Sequence, residues 1–297
     1  MHRVSRRVSL ALMGGLLALG GCSSAPTTAS DPAAEPVLGP VPQLVSTIGL
    51  RLPVEDYLPT PAQNDRLVRA QVALIRICLA RFGIAYDVTP VPSGHYGPAS
   101  LTDRRYGITD LDVARQFGYG LGDRDPARMT RPARPAIGAD GENALSGQGR
   151  SEVNGVAVPD GGCIGEADRG LTNSRTAAAD LRKGNQLQFE SFARSRVDSR
   201  VRAAFADWSA CMVAAGHRYA DPLAAAADPA FTSDLDQQQL DVAVNDIGCK
   251  AASNLVGVWF TVESAYQARE IEADRAGYAQ TRAAIDARDE LAAAADH

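Results

Sequence analysis

One short design occurs twice in this chain of 297 residues, and it limits what the chain can fold into more than any other feature. In residues 201–219, Val201, Ala204, Phe205, Trp208, Cys211, Met212 and Ala215 recur at three- and four-residue spacing, the period of one helix face. Gly216 follows as a left-handed stop and Tyr219 lies just beyond it. Residues 68–86 repeat the design with Val68, Val72, Ile75, Cys78, Leu79 and Phe82, then Gly83 and Tyr86. Setting Cys211 over Cys78 places Trp208 on Ile75, Phe205 on Val72, Val201 on Val68, Gly216 on Gly83 and Tyr219 on Tyr86. Any two amphipathic helices share an apolar stripe; the cysteine, glycine and tyrosine in register mark a repeat. Each copy is followed by one more cysteine, Cys163 and Cys249. The expected fold class is mainly α: a helical domain built from two similar disulfide-stapled halves, with a long irregular insert in the first.

Four cysteines beyond Cys22 allow three pairings. The repeat favours Cys78 with Cys163 and Cys211 with Cys249, each within its own half; a staple crossing the halves is the competing pattern. Loops of these lengths stabilise by roughly 4 to 4.5 kcal/mol each through loop-closure entropy, comparable with a whole domain's margin. The chain has no C-x2-C and no histidines paired at ligand spacing, so neither a metal site nor dithiol redox catalysis is expected, and no cofactor.

Residues 1–21 combine Arg3, Arg6 and Arg7 with an apolar run over residues 10–19, the layout of a signal peptide and too short for a mature membrane span. Leu19-Gly20-Gly21-Cys22 resembles the lipobox of bacterial lipoproteins. That resemblance implies cleavage before Cys22, a diacylglyceryl thioether on its sulfur and palmitate-type acylation, hence a membrane anchor. Residues 22–45 open with a Ser-, Ala-, Thr- and Pro-rich stretch and read as a disordered tether. The α-helical extracytoplasmic domain is then residues 46–297, with halves at about 46–184 and 185–297. Hydrophobic residues make up 45% of the chain, enough for a sizeable core. Removing residues 1–21 takes away three arginines and no acid, so the net charge moves from −5 to −8. A mildly acidic domain without a basic stripe argues against nucleic acid as partner.

Along the chain, Thr60-Pro61-Ala62-Gln63 has the form of a capping box with proline in the first turn. Thr109-Asp110-Leu111-Asp112 is expected to cap a short helix ending at Gly118, and residues 123–149 to form a long exposed loop. Residues 156–158 suggest a short strand, and helix is expected from Glu166 toward Gly184. Asp198 or Ser199 can cap the second cysteine-bearing helix. Ser233-Asp234-Leu235-Asp236 introduces one long helix through Cys249, with Leu240, Val244, Ile247, Ala251, Leu255, Val258 and Val262 as its buried face. Beyond Tyr266 the apolar positions thin to Ile271, Tyr278 and Ile285, seven apart, the pattern of a projecting helix or a poor coiled coil, and residues 292–297 should fray.

Trp208-Ser209-Ala210-Cys211-Met212 with Gly216, Asp246-Ile247-Gly248-Cys249-Lys250, Leu255-Val256 with Trp259, and the turn Pro159-Asp160-Gly161-Gly162-Cys163 together resemble a group of uncharacterised secreted proteins and lipoproteins of actinomycetes, whose cysteine pattern is CMxxxG followed by DxxCK. The resemblance covers about residues 65–285 and implies an architecture and an address, with no reaction attached.

The best candidate binding surface is His95, Tyr96, Arg105, Tyr106 and Tyr119, because tyrosine and arginine are common binding anchors. The plainer alternative is that these aromatics seal a loop onto the helices. His217, after the stop glycine, is expected to meet helix carbonyls. No G-x-S-x-G, H-E-x-x-H or P-loop occurs, so no catalytic residue is assigned. The expected function is a lipid-anchored envelope protein that binds a protein or a cell-wall component. The alternative is a cell-wall-acting hydrolase using carboxylates of residues 93–125, and a third possibility is a spacer or sensor whose projecting C-terminal helix meets a partner.

Overall fold

The computed structural model describes residues 34–130, 132–133, 135–173, 181–231 and 235–295. The expected signal peptide, the expected lipidation site at Cys22 and the expected tether up to residue 33 lie outside the described residues. So do Ser233 and Asp234, part of the stretch expected to link Glu166 with Gly184, and the last two residues.

The described residues form ten α-helices and a single two-stranded hairpin. Helix α1 (Pro61–Ala80) begins with the expected capping box, Thr60 accepting from the Gln63 amide while Gln63 reaches back to Thr60. The insert carries α2 (Leu111–Phe117), α3 (Gly138–Ser146), the hairpin β1 (Glu152–Val153) and β2 (Val156–Ala157), and α4 (Gly162–Gly170). The second half holds α5 (Lys183–Val197), α6 (Ser199–Ala214), the short α7 (Pro222–Ala226), α8 (Gln237–Ala252), α9 (Leu255–Ala273) and α10 (Arg275–Ala295).

Both favoured disulfides are present. Cys78 in α1 is bonded to Cys163 in α4, and Cys211 in α6 to Cys249 in α8, each with Cα atoms 5.6 Å apart. The two copies also end alike. Gly83 and Gly216 both take positive φ. The amide of Ile84 bonds the carbonyl of Leu79, and the amide of His217 bonds that of Met212, the equivalent pair in the repeat. These are the closing bonds of a Schellman motif, so the matching glycines do the same job in both halves.

Each half has its own core. One gathers Ile75, Cys78, Leu79, Phe82, Ala144, Leu145, Val153, Cys163 and Ala167. The other surrounds Trp208 and Trp259, with Val201, Phe205, Met212, Val242, Leu255 and Val262. Trp259 packs between Tyr106 at 5.2 Å, Phe192 at 5.4 Å and Phe205 at 5.0 Å between ring centres.

Several expectations are corrected. The tether does not extend to residue 45, nor the domain begin at 46, since the compact unit starts at Glu35. The Glu35 carboxylate accepts from the amide and hydroxyl of Ser199 at the start of α6, where the helix dipole favours an anion. Leu38, Leu44 and Leu50 pack on the second core. The long exposed loop at 123–149 contains α3, whose Ala144 and Leu145 are buried; its glycine-rich start hid it. In the first stripe, Ile75, Cys78, Leu79 and Phe82 are buried but Val68 is 41% exposed.

The hairpin turns at Asn154-Gly155, both with positive φ, as a two-residue turn requires. The long helix expected around Cys249 is two helices, broken at Asn254 (φ +50°). Asn254 holds the incoming N-terminal strap through the amide of Leu44 and the carbonyl of Pro42. On α8 the buried line is Gln239, Val242, Ala243, Asp246, Cys249 and Lys250, displaced from the expected Leu240, Val244 and Ile247. An apolar-only search passes over a buried ion pair. Finally, α10 does not project. It lies against α1, with Ala292 buried beside Ala70 and Leu171.

Candidate functional site

Three of the five expected surface residues turn inward. Arg104, Arg105, Tyr106 and Gly107 make a tight turn in the insert, Arg104 at φ +65° and Gly107 at φ +85°. Residue 107 must be small as well as left-handed, because a Cβ there would lie 2.5 Å from the Lys250 Nζ. The turn pushes Arg105 and Tyr106 against α9 and α5.

Around Glu263 the bonding is dense. Arg105 Nε donates to both carboxylate oxygens at 3.0 and 2.9 Å, and its Nη2 adds further bonds to Glu263 and to the Gln188 carbonyl. The Tyr106 hydroxyl donates to Glu263 Oε2 at 2.8 Å and Ser191 Oγ to Oε1 at 3.1 Å. Gln267 Nε2 donates to Ser191 Oγ and Glu263, while its carbonyl oxygen accepts the amide of Val54. Glu263 and Tyr106 have no exposed surface. Burial opposes the Arg105 charge, but the bonds and charge of Glu263 outweigh it and hold the guanidinium above its ordinary pKa. Burial, then the Glu263 carboxylate, pushes the Tyr106 hydroxyl well above the usual phenol range. Phe192 lies under the guanidinium at 4.7 Å from its ring centre.

A second buried cluster centres on Asp246 of α8. Lys250 Nζ donates to Asp246 Oδ2 at 2.7 Å and to the Ile108 carbonyl at 2.9 Å. Trp208 Nε1 donates to Asp246 Oδ1 at 2.9 Å, and the Tyr119 hydroxyl to Oδ2 at 3.2 Å. Burial raises the Asp246 pKa and lowers that of Lys250, and each partner pulls the other part of the way back. Burial, with Asp246 next, raises the Tyr119 hydroxyl out of any physiological range. The Tyr119 ring stacks on Phe231, with centres 5.8 Å apart.

Both clusters are closed, and each pins the insert across the second half. Buried charges are tolerated where they are paired and hydrogen-bonded, and here that condition is met for Glu263, Asp246 and Lys250. Lys250 is therefore a structural cation and not an accessible nucleophile. Of the expected surface, His95 and Tyr96 are exposed, with ring centres 6.5 Å apart on a loop tied to α1 by the Ser93 amide and Asp65. Arg105, Tyr106 and Tyr119 do not join them, so the five residues form no common surface. Tyr106 and Tyr119 pack the insert onto the second core instead.

The carboxylates of residues 93–125 are also accounted for. Asp110 caps α2, Asp125 caps the next turn and Asp103 accepts the amide of Ala99. Asp112 and Asp123 lie at the surface opposite Arg115 and Arg128. His217 caps α6 through its backbone amide, while its ring shares a hydrogen bond with the Asn245 side-chain amide. Among the described residues no group of histidine, cysteine, aspartate and glutamate has the clustering of a metal site, and no helix is long and apolar enough to cross a membrane. An open groove of about 730 Å³ between α5 and α6 and a smaller hollow of about 280 Å³ beside α10 contain no histidine.

The buried partners Glu263, Ser191 and Gln267 carry no mark in the sequence; only their spacing on the inner faces of α5 and α9 could have suggested them. No family model, curated protein or solved structure matches this chain.

Proposed function

We propose that this chain is a lipid-anchored protein of the cell envelope, held to the outer face of the cell membrane through Cys22 and presenting its helical domain as a binding or interaction module. The observation that carries the reading is the cysteine count. Four of the five cysteines pair with one another, which fits an oxidising compartment. Cys22 is left over, next to small residues and an apolar run that fit acylation. Between the binding and the hydrolase alternatives, the engagement of Asp103, Asp110 and Asp125 as local acceptors favours binding. The partner is a protein or a cell-wall component, and the membrane contact is the lipid.

The test is metabolic labelling with an alkyne palmitate in an actinomycete host expressing the full chain. The wild type should take up label and sediment with membranes, and Cys22→Ala should do neither. An unlabelled wild type, or equal label in the variant, overturns the anchor. Crosslinking on intact cells then addresses the binding role. A labelled chain that captures no neighbour above an untagged control keeps the anchor and removes the module.

A further inference from the structure

Helices α5 and α6 meet at the corner Asp198-Ser199 and leave an open groove of about 730 Å³ in the angle between them. Ala193, Arg196 and Val197 of α5 line one side, and Arg202, Ala206 and Ser209 of α6 the other. Phe189 lies one helical turn before Ala193 on the same stripe of α5, since side chains four apart share a face. The stripe is open: Phe189 is 70% exposed and Val197 71%. In a chain of net charge −5, residues 194–202 hold four arginines against one acid. Two of the four are engaged, Arg194 over the Tyr266 ring and Arg200 with Asp198 and the Pro36 carbonyl. The other two line the groove. Arg196 meets Asp221 at 3.4 Å in a pair that is 41% exposed on the arginine side, and such surface pairs hold weakly. The Arg202 side chain makes no bond or ion pair among the described residues. Of the neighbouring acids, Asp221 spends Oδ1 on the amides of Leu223 and Ala224, and Glu190 follows Phe189 at the edge of the stripe.

We propose that this groove face docks on the membrane surface, with Arg196 and Arg202 on the phosphates of anionic phospholipids and Val197 and Phe189 at the boundary of headgroups and acyl chains. The place where the chain enters the domain favours a bilayer over other occupants. Glu35 accepts from the amide and hydroxyl of Ser199, at the corner where the two helices meet. Residues 23–34 alone separate it from Cys22, and that stretch spans about 45 Å at full extension. An acylated Cys22 therefore keeps this corner within that distance of the bilayer along any path. The chemistry agrees. Guanidinium groups match phosphate oxygens with a fork of N–H donors, and basic side chains beside exposed apolar ones are what an interfacial surface presents. The proposal rests on the lipid anchor for its choice of occupant. It adds a second membrane contact beside the lipid, turning one face of the domain to the bilayer and leaving the rest of its surface to a partner.

The experiment adds the full chain, as the host expresses it, to vesicles of equal parts phosphatidylglycerol and phosphatidylcholine with brominated acyl chains, and reads the fluorescence of Val197→Trp. The native Trp208 and Trp259 are buried away from the quencher, and contact at the corner is read however the chain is held to the vesicle. Val197→Trp should be quenched, as should Phe189→Trp, while Ile77→Trp at an exposed position of α1 should not. On the Val197→Trp background, Arg196→Gln and Arg202→Gln should each lower the docked-to-undocked ratio about fivefold. Arg115→Gln, an equal loss of charge on exposed α2, should leave it unchanged. Absence of quenching at Val197→Trp, equal quenching at Ile77→Trp, quenching undiminished in the two groove variants or on phosphatidylcholine alone, or an equal drop in Arg115→Gln overturns the proposal. A blue shift of the Val197→Trp emission that grows with protein concentration without vesicles gives the face to a second copy and also overturns it. A chain that fails palmitate labelling yet is quenched removes the anchor alone, and one that takes label without quenching keeps the anchor and removes the docking face.

Discussion

Lysine is a surface residue by habit, yet the Lys250 Nζ sits where the insert crosses α8, bonded to Asp246 and to the carbonyl of Ile108. Removing one member of such a pair is worse than removing both, because the survivor remains charged and buried. Lys250→Met should therefore cost about 3–5 kcal/mol, and Lys250→Met with Asp246→Leu should recover part of that loss. Urea midpoints for the two variants check it, and a double variant less stable than the single one contradicts the account.

Asp198 is the acid-sensitive counterpart. Burial works to raise its pKa, but Arg200 bonds it through Nε, Nη2 and its backbone amide, and the Tyr266 hydroxyl adds a fourth donor. These four donors together hold the carboxyl below the usual aspartate range. A depressed folded pKa contributes stability that is complete above the unfolded value, about 3.9, and is lost as pH falls through the folded value. Asp198→Asn keeps a good N-cap residue but nothing that titrates. It should be less stable than wild type at pH 7, with the gap closing below about pH 4; urea unfolding at pH 7 and pH 3 measures both.

At the scale of elements, α1 and α10 explain each other. The face of α1 with Ile75, Cys78, Leu79 and Phe82 packs on α3 and α4, while Ala70, with Leu67 and Leu74, meets Ala292 of α10. Tyr278, one of three sparse apolar residues seven apart, is buried against Tyr57 at 4.9 Å between ring centres, with Lys183 Nζ 4.8 Å from its ring. The helical period was plain in both stretches. The partner of α10 was not, because alanine contacts such as Ala70 with Ala292 give a narrow stripe that reads equally well as a solvated helix. Deleting residues 275–297 should strip hydrogen-exchange protection from α1 and α4 while leaving α8 largely protected. Unchanged exchange in α1 would show that the helix is dispensable.

At the scale of the molecule the two halves are interlocked and not merely adjacent. The insert of the first half places Tyr106 and Tyr119 against the second core, and α10 of the second half returns to cover α1. The N-terminal strap adds a third tie, from Glu35 on Ser199 to Pro42 on Asn254. Gly257 lies beneath it, where a Cβ would come within 2.1 Å of the Pro42 carbonyl oxygen. Two disulfides worth roughly 4 to 4.5 kcal/mol each act within the halves, and the closed ion-pair clusters act between them.

What the sequence alone determined was whatever depends on near neighbours in the chain: the helix period, the capping box at Thr60, the stop glycines, and the copy-for-copy register that favoured the two cysteine pairs over a staple crossing the halves. Only the tertiary structure decided which polar groups are buried together. Arg105 meets Glu263, Lys250 reaches Ile108 and Glu35 meets Ser199 across 142 residues or more. A charged side chain reads as solvated until its partner is known, and partners so distant leave no local trace.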